Sequence, residues 1–268
     1  MTPPPVPGRT LLVGYGALGS ALAPRLLSDG GEVFALRRSD GALPEGLRGI
    51  RADLSKPLEA TLPEVDAVVI TLTPSGAQGY RAALERLADA LPVVAARTVF
   101  VSSTGVFEGW ESASPITERD EPAPHSDRAR ELRDGELAAV ELLDAVIVRP
   151  AGIYGPGREF LIRQVREQAT VNHRRRTNRI HEHDLVRTID ALLRMPEPPQ
   201  VLHAVDAAPA PLSDVVAFIA QTLGMPTPPD DAAAGATGTV LDGSLLRSLL
   251  GELDYPTYRE GYAEMLRG

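Results

Sequence analysis

Short apolar runs alternate with longer amphipathic stretches over the first 150 or so residues. "RTLLVGYG" is an apolar run closed by glycines, the pattern of a strand buried on both faces. From Ala17 the period changes, and Leu18, Leu22 and Leu26 recur every four residues along one helical face. Pro24 falls inside that face and is expected to cost a hydrogen bond and to bend the helix. "GEVFALRR" predicts a second strand, "GIRADL" a short third and "DAVVITLTP" a fourth. Tyr80, Leu84, Leu87 and Leu91 mark a helix, "RTVFVSSTG" a fifth strand, and Leu132, Glu136, Val140 and Leu143 a further helix before the sixth strand, "DAVIVRPAG". Strands alternating with helices predict βαβ crossovers and an α/β fold of the Rossmann type, a doubly wound parallel sheet.

Beyond Gly155 the alternation loosens. "RIHEHDLVRTIDALLRM" predicts a turn opening a helix, with Leu185, Ile189 and Leu192 on one face. "VLHAVD" predicts a strand and "LSDVVAFIAQTL" a helix begun by Ser213. Residues 226–239, "PTPPDDAAAGATGT", read as a mobile loop, and the tail as two short helices broken around Pro256. The expected organisation is a dinucleotide-binding core over 9–155, to which 183–206 returns, with a small substrate-side cap made of 156–182 and 207–268.

Composition narrows the chemistry. The 268 residues carry a net charge of -9, which disfavours a nucleic-acid partner. There is no cysteine, so disulfides, thiolate catalysis and cysteine-ligated zinc are excluded. No apolar run approaches the roughly 18 residues of a membrane span. The opening "MTPPPVPG" lacks a basic start and an apolar block, and reads as a loose tail rather than a signal peptide. A cytoplasmic location without membrane contact is the expectation.

Gly14, Gly16 and Gly19 fill G-x-G-x-x-G directly after the first strand and at the start of the first helix. Each glycine has a task there: a tight turn, close approach of backbone to a pyrophosphate, and tight packing of helix on strand. The amides of Ala17 and Leu18 would join them, since a helix start offers free N–H groups and partial positive charge to phosphates. A site for NAD usually has an acid roughly 20 residues further on. Arg37 and Arg38 stand there instead, and two guanidiniums suit a 2′-phosphate. NADP is therefore the expected cofactor, with NAD as the alternative through nearby Asp40. Asp53, in "RADL", is either an acceptor for the adenine amine or a turn residue.

Together, "GYGALG", "RADL", "VFVSSTGVF", "RPAGIYGPGR" and "RIHEHDLVRTI" resemble the extended, and more closely the atypical, short-chain dehydrogenase/reductase superfamily, often described as the NAD-dependent epimerase/dehydratase family. The resemblance runs from about residue 9 to the C-terminus. It implies hydride exchange with a nicotinamide cofactor, assisted by a serine or threonine, a tyrosine that exchanges the proton, and a lysine four residues after that tyrosine. The hydroxyl is present: counting forward along the fifth strand selects Thr104, and counting back from "VF" selects Ser103. The tyrosine and lysine are not. Matching Glu136 to the family's glutamate puts Arg128 at the tyrosine position and Leu132 at the lysine position. The only lysine, Lys56, follows Ala52 by four residues, so the pair is not elsewhere either. Arginine, with a pKa above about 12, cannot serve as the acid, although it can bind an anion or polarise a carbonyl.

Replacements for the lost donor are few. Tyr154 in "GIYGPG" has a suitable hydroxyl, with a packed structural role as its alternative. His125 and Asp127 precede a helix and read as capping groups, and Glu108 as a surface carboxylate. His181 and His183 have no evident third ligand, so no metal is expected. The arginine-rich "NHRRRTNR", 172–179, is either an anion grip or a solvated loop. Two readings follow. One is an NADP-dependent oxidoreductase or epimerase-like enzyme acting on a small metabolite, including an anionic one, with Ser103 or Thr104 assisted by Tyr154 or Arg128. The other is a non-catalytic NADP-binding sensor or scaffold. A monomer is expected, or a homodimer formed through a fourth-strand edge or the helices after residues 80 and 128.

Overall fold

The computed structural model describes residues 7–58, 61–73, 79–110 and 114–267. Most of the proline-rich opening, read as a loose tail, lies outside them. A seven-stranded sheet is built from β1 (Arg9–Val13), β2 (Glu32–Arg37), β3 (Leu47–Arg51), β4 (Ala67–Ile70), β5 (Arg97–Val101), β6 (Ala145–Pro150) and β10 (Val201–Ala204). Their order is β10-β6-β5-β4-β1-β2-β3, and β1 to β6 pair in parallel. Every residue of β4 and β6 is buried, which is why β4 reads as an unbroken apolar run and β6 as one interrupted only by Arg149. Short pairs complete the strands: β7 (Gly152–Tyr154) with β9 (Arg179–His181), and β8 (Arg176–Thr177) with β11 (Ala210–Pro211).

Helices α1 (Ala17–Ser28), α2 (Gly79–Ala90), α3 (Asp127–Leu143), α5 (Glu182–Arg194), α6 (Leu212–Leu223), α7 (Ser244–Leu250) and α8 (Tyr258–Arg267) fall on stretches expected to be helical, and α4 (Phe160–Arg166) is an additional helix. Leu18, Leu22 and Leu26 are buried on α1, Leu84 and Leu87 on α2, and Leu185, Ile189 and Leu192 on α5. Pro24 sits inside α1 without ending it. The described residues hold no helix long and apolar enough to cross a membrane.

Register sets the site. Val13 lies opposite Leu36 on one side and Ile70 on the other, and Ile70 lies opposite Phe100. Gly14, Arg37, Thr71 and the residues after Val101 therefore emerge at one carboxyl edge of the sheet. The chain reverses its direction of travel between β1 and β4, the place where open parallel sheets take ligands.

The chain divides into two compact units. One holds the residues up to Val106 with Pro124–Arg149 and Val186–Leu202; the other holds Phe107–Ala123, Pro150–Leu185 and the residues from His203 onward. The second unit takes in Phe107–Ala123, a segment the sequence reading left with the core. Long-range bonds hold it there: the amide of Ile116 donates to the Val240 carbonyl (2.9 Å) and Glu118 accepts from the His203 amide (3.0 Å).

Three expectations change. β4 is interior, flanked by β1 and β5, so it has no free edge for a dimer. α6 starts at Leu212 after Pro211, and Ser213 bonds to Asp214 rather than capping the helix. Residues 226–239 are not a free loop. His173 bonds to the Pro228 carbonyl (2.9 Å) and its amide to Asp230 (2.9 Å), Asn172 donates to the Gly235 carbonyl (2.9 Å), and Arg174 donates to the carbonyls of Ala232 (3.0 Å) and Ala234 (2.7 Å).

Candidate functional site

The three motif glycines differ in what requires them. Gly14 has φ +88°, the left-handed region that favours glycine, and a Cβ there would meet Thr71 at 3.1 Å. Thr71 closes that turn by donating its hydroxyl to the Gly14 carbonyl (2.6 Å). Gly19 is buried, and its Cβ would lie 3.2 Å from the Gly14 carbonyl oxygen, so it sets the packing of helix on strand. Gly16 is different. Its φ is -103°, and a Cβ would have no neighbour within 4 Å. No described residue demands glycine there, whereas a ligand lying on the backbone would.

Gly16 is also the N-cap of α1, with no side-chain cap and no acid in the first turn. The first intrahelical bond runs from the Ser20 amide to the Gly16 carbonyl (2.9 Å), leaving the amides of Ala17, Leu18 and Gly19 pointing out of the helix end. Ala17 is exposed, while the Leu18 side chain is buried, so only its backbone faces the turn. The donor set fits a pyrophosphate.

At the end of β2 the two arginines part company. Arg37 donates to the Gly41 carbonyl, which fixes its guanidinium on the following loop. Arg38 is exposed and has no hydrogen bond or ion pair to any described residue. The expected pair of phosphate-selecting guanidiniums thus reduces to one uncommitted group. Asp40, the acid that kept NAD in play, is bound to Arg51 (2.8 Å). Asp53 accepts from the Ser55 amide (3.0 Å), which holds its carboxyl below the usual range, with Arg38 adding to the effect. It is a turn residue with one oxygen left over.

The end of β5 carries the hydroxyls. Ser102, Ser103 and Thr104 leave the strand in sequence, and each has a different setting. Ser102 donates to Glu136 Oε1 (2.8 Å) and its amide to the Val148 carbonyl (2.8 Å). Ser103 Oγ accepts from the Gly105 amide (3.0 Å), so its own proton remains to be donated. Thr104, half-buried, opens a 3₁₀ turn, Thr104–Phe107.

Beneath them lies a buried ion pair. Arg149, 2% exposed, donates through Nε to Glu136 Oε1 and through Nη2 to Oε2, both at 2.8 Å. Arg133 adds a third bond to the same carboxylate (3.1 Å). Sequence periodicity placed Glu136 on a helical stripe but gave no sign that it is buried; on that stripe Val140 faces solvent, and Ala139 and Leu143 continue the covered face. Leu132, where the resemblance puts lysine, is buried, and its Cδ1 would be 3.1 Å from a Cβ on Gly105. Arg128, where the resemblance puts tyrosine, is exposed in the first turn of α3. That helix is capped by Ser126, which accepts from the Ala129 amide (3.1 Å), not by His125 or Asp127. Asp127 pairs with Arg130 (2.6 Å), and His125 and Glu108 are exposed.

The second unit holds the other candidates. Tyr154 is 3% exposed, stacks on Tyr262 (4.7 Å between centroids) and meets the edge of His181 (5.1 Å). Its hydroxyl donates to the Thr257 carbonyl (3.3 Å), and burial pushes its pKa well above the phenol range. It fills the packed role, and that environment corrects the expectation of a proton donor. His181 Nδ1 accepts from the His183 amide (3.2 Å), its ring stacks on Tyr255 (3.7 Å), and burial lowers its pKa, keeping it neutral. His183 is exposed and bonds to Asp254 (2.8 Å), so the two histidines serve different partners. Of the arginine-rich loop, Arg174 staples 231–234, Arg179 is buried over the Tyr258 ring (5.3 Å), and Arg175 and Arg176 are exposed. Asp206, close to Arg179 and 1% exposed, has its carboxyl pushed up to about 7 by burial.

Comparison with known proteins agrees with this architecture. The family of the RmlD substrate binding domain matches residues 77–181. No curated protein matches the chain. A solved structure from Methylobacillus flagellatus, provisionally described as an NAD-dependent epimerase/dehydratase, is 29% identical, with 98% of each chain covered and a TM-score of 0.79. MoeE5, solved in complex with UDP-glucuronic acid and NAD, is 22% identical over 97% of this chain and 98% of its own, with a TM-score of 0.78. DesIV, a dTDP-glucose 4,6-dehydratase from Streptomyces venezuelae solved with NAD and TYD, is 20% identical over 97% and 96%, with a TM-score of 0.76. At that identity the last two share the fold alone. With a strand–glycine turn–helix at the switch point of a seven-stranded sheet, the chain has a Rossmann-type α/β fold and is similar to the RmlD substrate binding domain family over residues 77–181 and to an epimerase/dehydratase-like structure over nearly its whole length.

Proposed function

We propose that the protein is an NADP-dependent oxidoreductase or epimerase-like enzyme acting on a small metabolite, with an active site that has lost the superfamily's tyrosine and lysine. The observation that carries the nucleotide part is the open space over Gly16 beside three outward amides of α1. A bound nicotinamide dinucleotide supplies hydride exchange; the chain's own residues supply binding and orientation. Arg38 selects the 2′-phosphate, since Arg37 is held by Gly41 and Asp40 by Arg51. Ser103 is the hydroxyl donor to a substrate oxygen, because its acceptor capacity already serves Gly105. Thr104 borders the same site. Arg128 orients or neutralises but holds its proton, so protonation falls to water.

A second reading has its own support. Leu132 closes on Gly105 where lysine would stand, which suits a non-catalytic NADP-binding sensor or scaffold. Nucleotide released by heat from the purified protein, followed by hydride-exchange assays on a panel of carbonyl compounds, separates the two. Turnover that vanishes in Ser103→Ala supports the enzyme. Tight NADP binding with no turnover across the panel supports the sensor.

A further inference from the structure

α3 turns one stripe toward the end of β5. Glu136 on that stripe accepts from Ser102, and Leu132, one turn earlier, lies against Gly105. One turn earlier again stands Arg128. Arg128 is also within electrostatic range of the Tyr80 hydroxyl, which donates to the Leu72 carbonyl (3.1 Å), just past the end of β4. β4 and β5 are neighbours in the sheet. Arg128 therefore lies on the stripe of α3 whose next two turns meet Gly105 and Ser102 at the end of β5.

Its lack of a partner is the informative point. The chain carries 36 acidic residues against 27 basic ones. On the same helix Arg130 is bound to Asp127 (2.6 Å) and Arg133 to Glu136 (3.1 Å). Arg128 makes no hydrogen bond or ion pair to any described residue, although Glu131 stands three residues further along α3 and also acts on Tyr80. An uncommitted cation on this stripe, with a hydroxyl whose proton is unspent at the end of the strand it faces, suits a planar anion with an oxygen acceptor next to it. A neutral sugar hydroxyl offers the guanidinium no such counter-charge.

We propose that Arg128 and Ser103 form a carboxylate-recognition site, and that the substrate is a small carboxylic acid with a carbonyl or hydroxyl group beside its carboxylate. Arg128 takes the carboxylate and Ser103 donates to the neighbouring oxygen. This rests on the oxidoreductase reading above and goes beyond it by naming the substrate class.

The test uses the full chain saturated with NADPH, whose fluorescence is titrated with oxamate, with acetamide as the uncharged counterpart and inorganic phosphate as a generic anion. Oxamate is expected to bind saturably and acetamide not. Arg128→Met should weaken oxamate at least tenfold while leaving NADPH affinity and the thermal midpoint unchanged, and Arg128→Lys should recover part of the loss. Ser103→Ala should weaken oxamate as well. If NADPH binds but oxamate does no better than acetamide or phosphate, or Arg128→Met binds it as wild type does, the carboxylate site is wrong and the nucleotide reading stands. If NADPH itself does not saturate, both are wrong.

Discussion

In Glu136→Ala the carboxylate that receives two bonds from Arg149, one from Ser102 and one from Arg133 is gone. The consequences differ for the three donors. Arg133 is 23% exposed in its side chain and can turn to water. Arg149 is 2% exposed and cannot, so its buried guanidinium loses the carboxylate that takes two of its bonds, a change that costs about 3–5 kcal/mol. Ser102 loses its acceptor as well, worth about 1 kcal/mol. The sum, about 5 kcal/mol, is comparable with the whole stability of many domains. The double change Glu136→Leu/Arg149→Met removes both charges from the same volume and is expected to fall within about 1–2 kcal/mol of wild type, because a buried ion pair contributes little over an apolar pair. Urea unfolding followed by circular dichroism, with both single variants and the double, gives the full cycle. A loss below about 1 kcal/mol in Glu136→Ala, or a double variant as unstable as the singles, would refute the argument that the buried arginine's loss of its carboxylate dominates.

Other outcomes follow from the same geometry. Asp206 has a folded pKa of about 7 against an ordinary 3.8, so the folded state holds the proton more tightly than the unfolded state; stability should fall as pH rises from about 4 to 7, by at most about 4 kcal/mol, and Asp206→Asn should abolish that fall in urea unfolding at pH 5 and 8. Gly135→Ala puts a Cβ 2.8 Å from the Tyr80 ring where α2 meets α3, and should lower stability by about 1–3 kcal/mol, measured as a drop in thermal midpoint that Tyr80→Leu partly reverses. Arg38→Ala should bring the Kd for NADPH up toward that for NADH, whereas Arg37→Ala should leave their ratio nearly unchanged; equal effects from the two variants would contradict the division of labour at the end of β2.

The sequence made the strand–turn–helix at Gly14–Gly19 readable because every constraint there is local: an apolar run, a φ that needs glycine, and a helix end. The strands themselves were readable for a similar reason, since buried parallel strands have no polar face to blur the pattern. What escaped was set by distant partners. Tyr154 is packed by Gly261, where a Cβ would overlap its ring, and nothing near residue 154 announces this. Residues 226–239 have no apolar period, yet Asn172, His173 and Arg174 hold them from more than 50 residues away. Glu136 sat on a helical stripe without betraying its burial, because a pattern of apolar positions assigns carboxylates to water. Arg37 and Arg38 looked equivalent until the loop carbonyl of Gly41 claimed one of them.

The account turns on whether a dinucleotide lies across Gly16, and Gly16→Val tests that directly. A Cβ there meets no described residue, so the variant should keep the wild-type thermal midpoint while losing NADPH binding in a fluorescence titration that saturates for wild type. Wild-type protein that shows no saturable binding, or a Gly16→Val variant that binds NADPH as tightly as wild type, would contradict it.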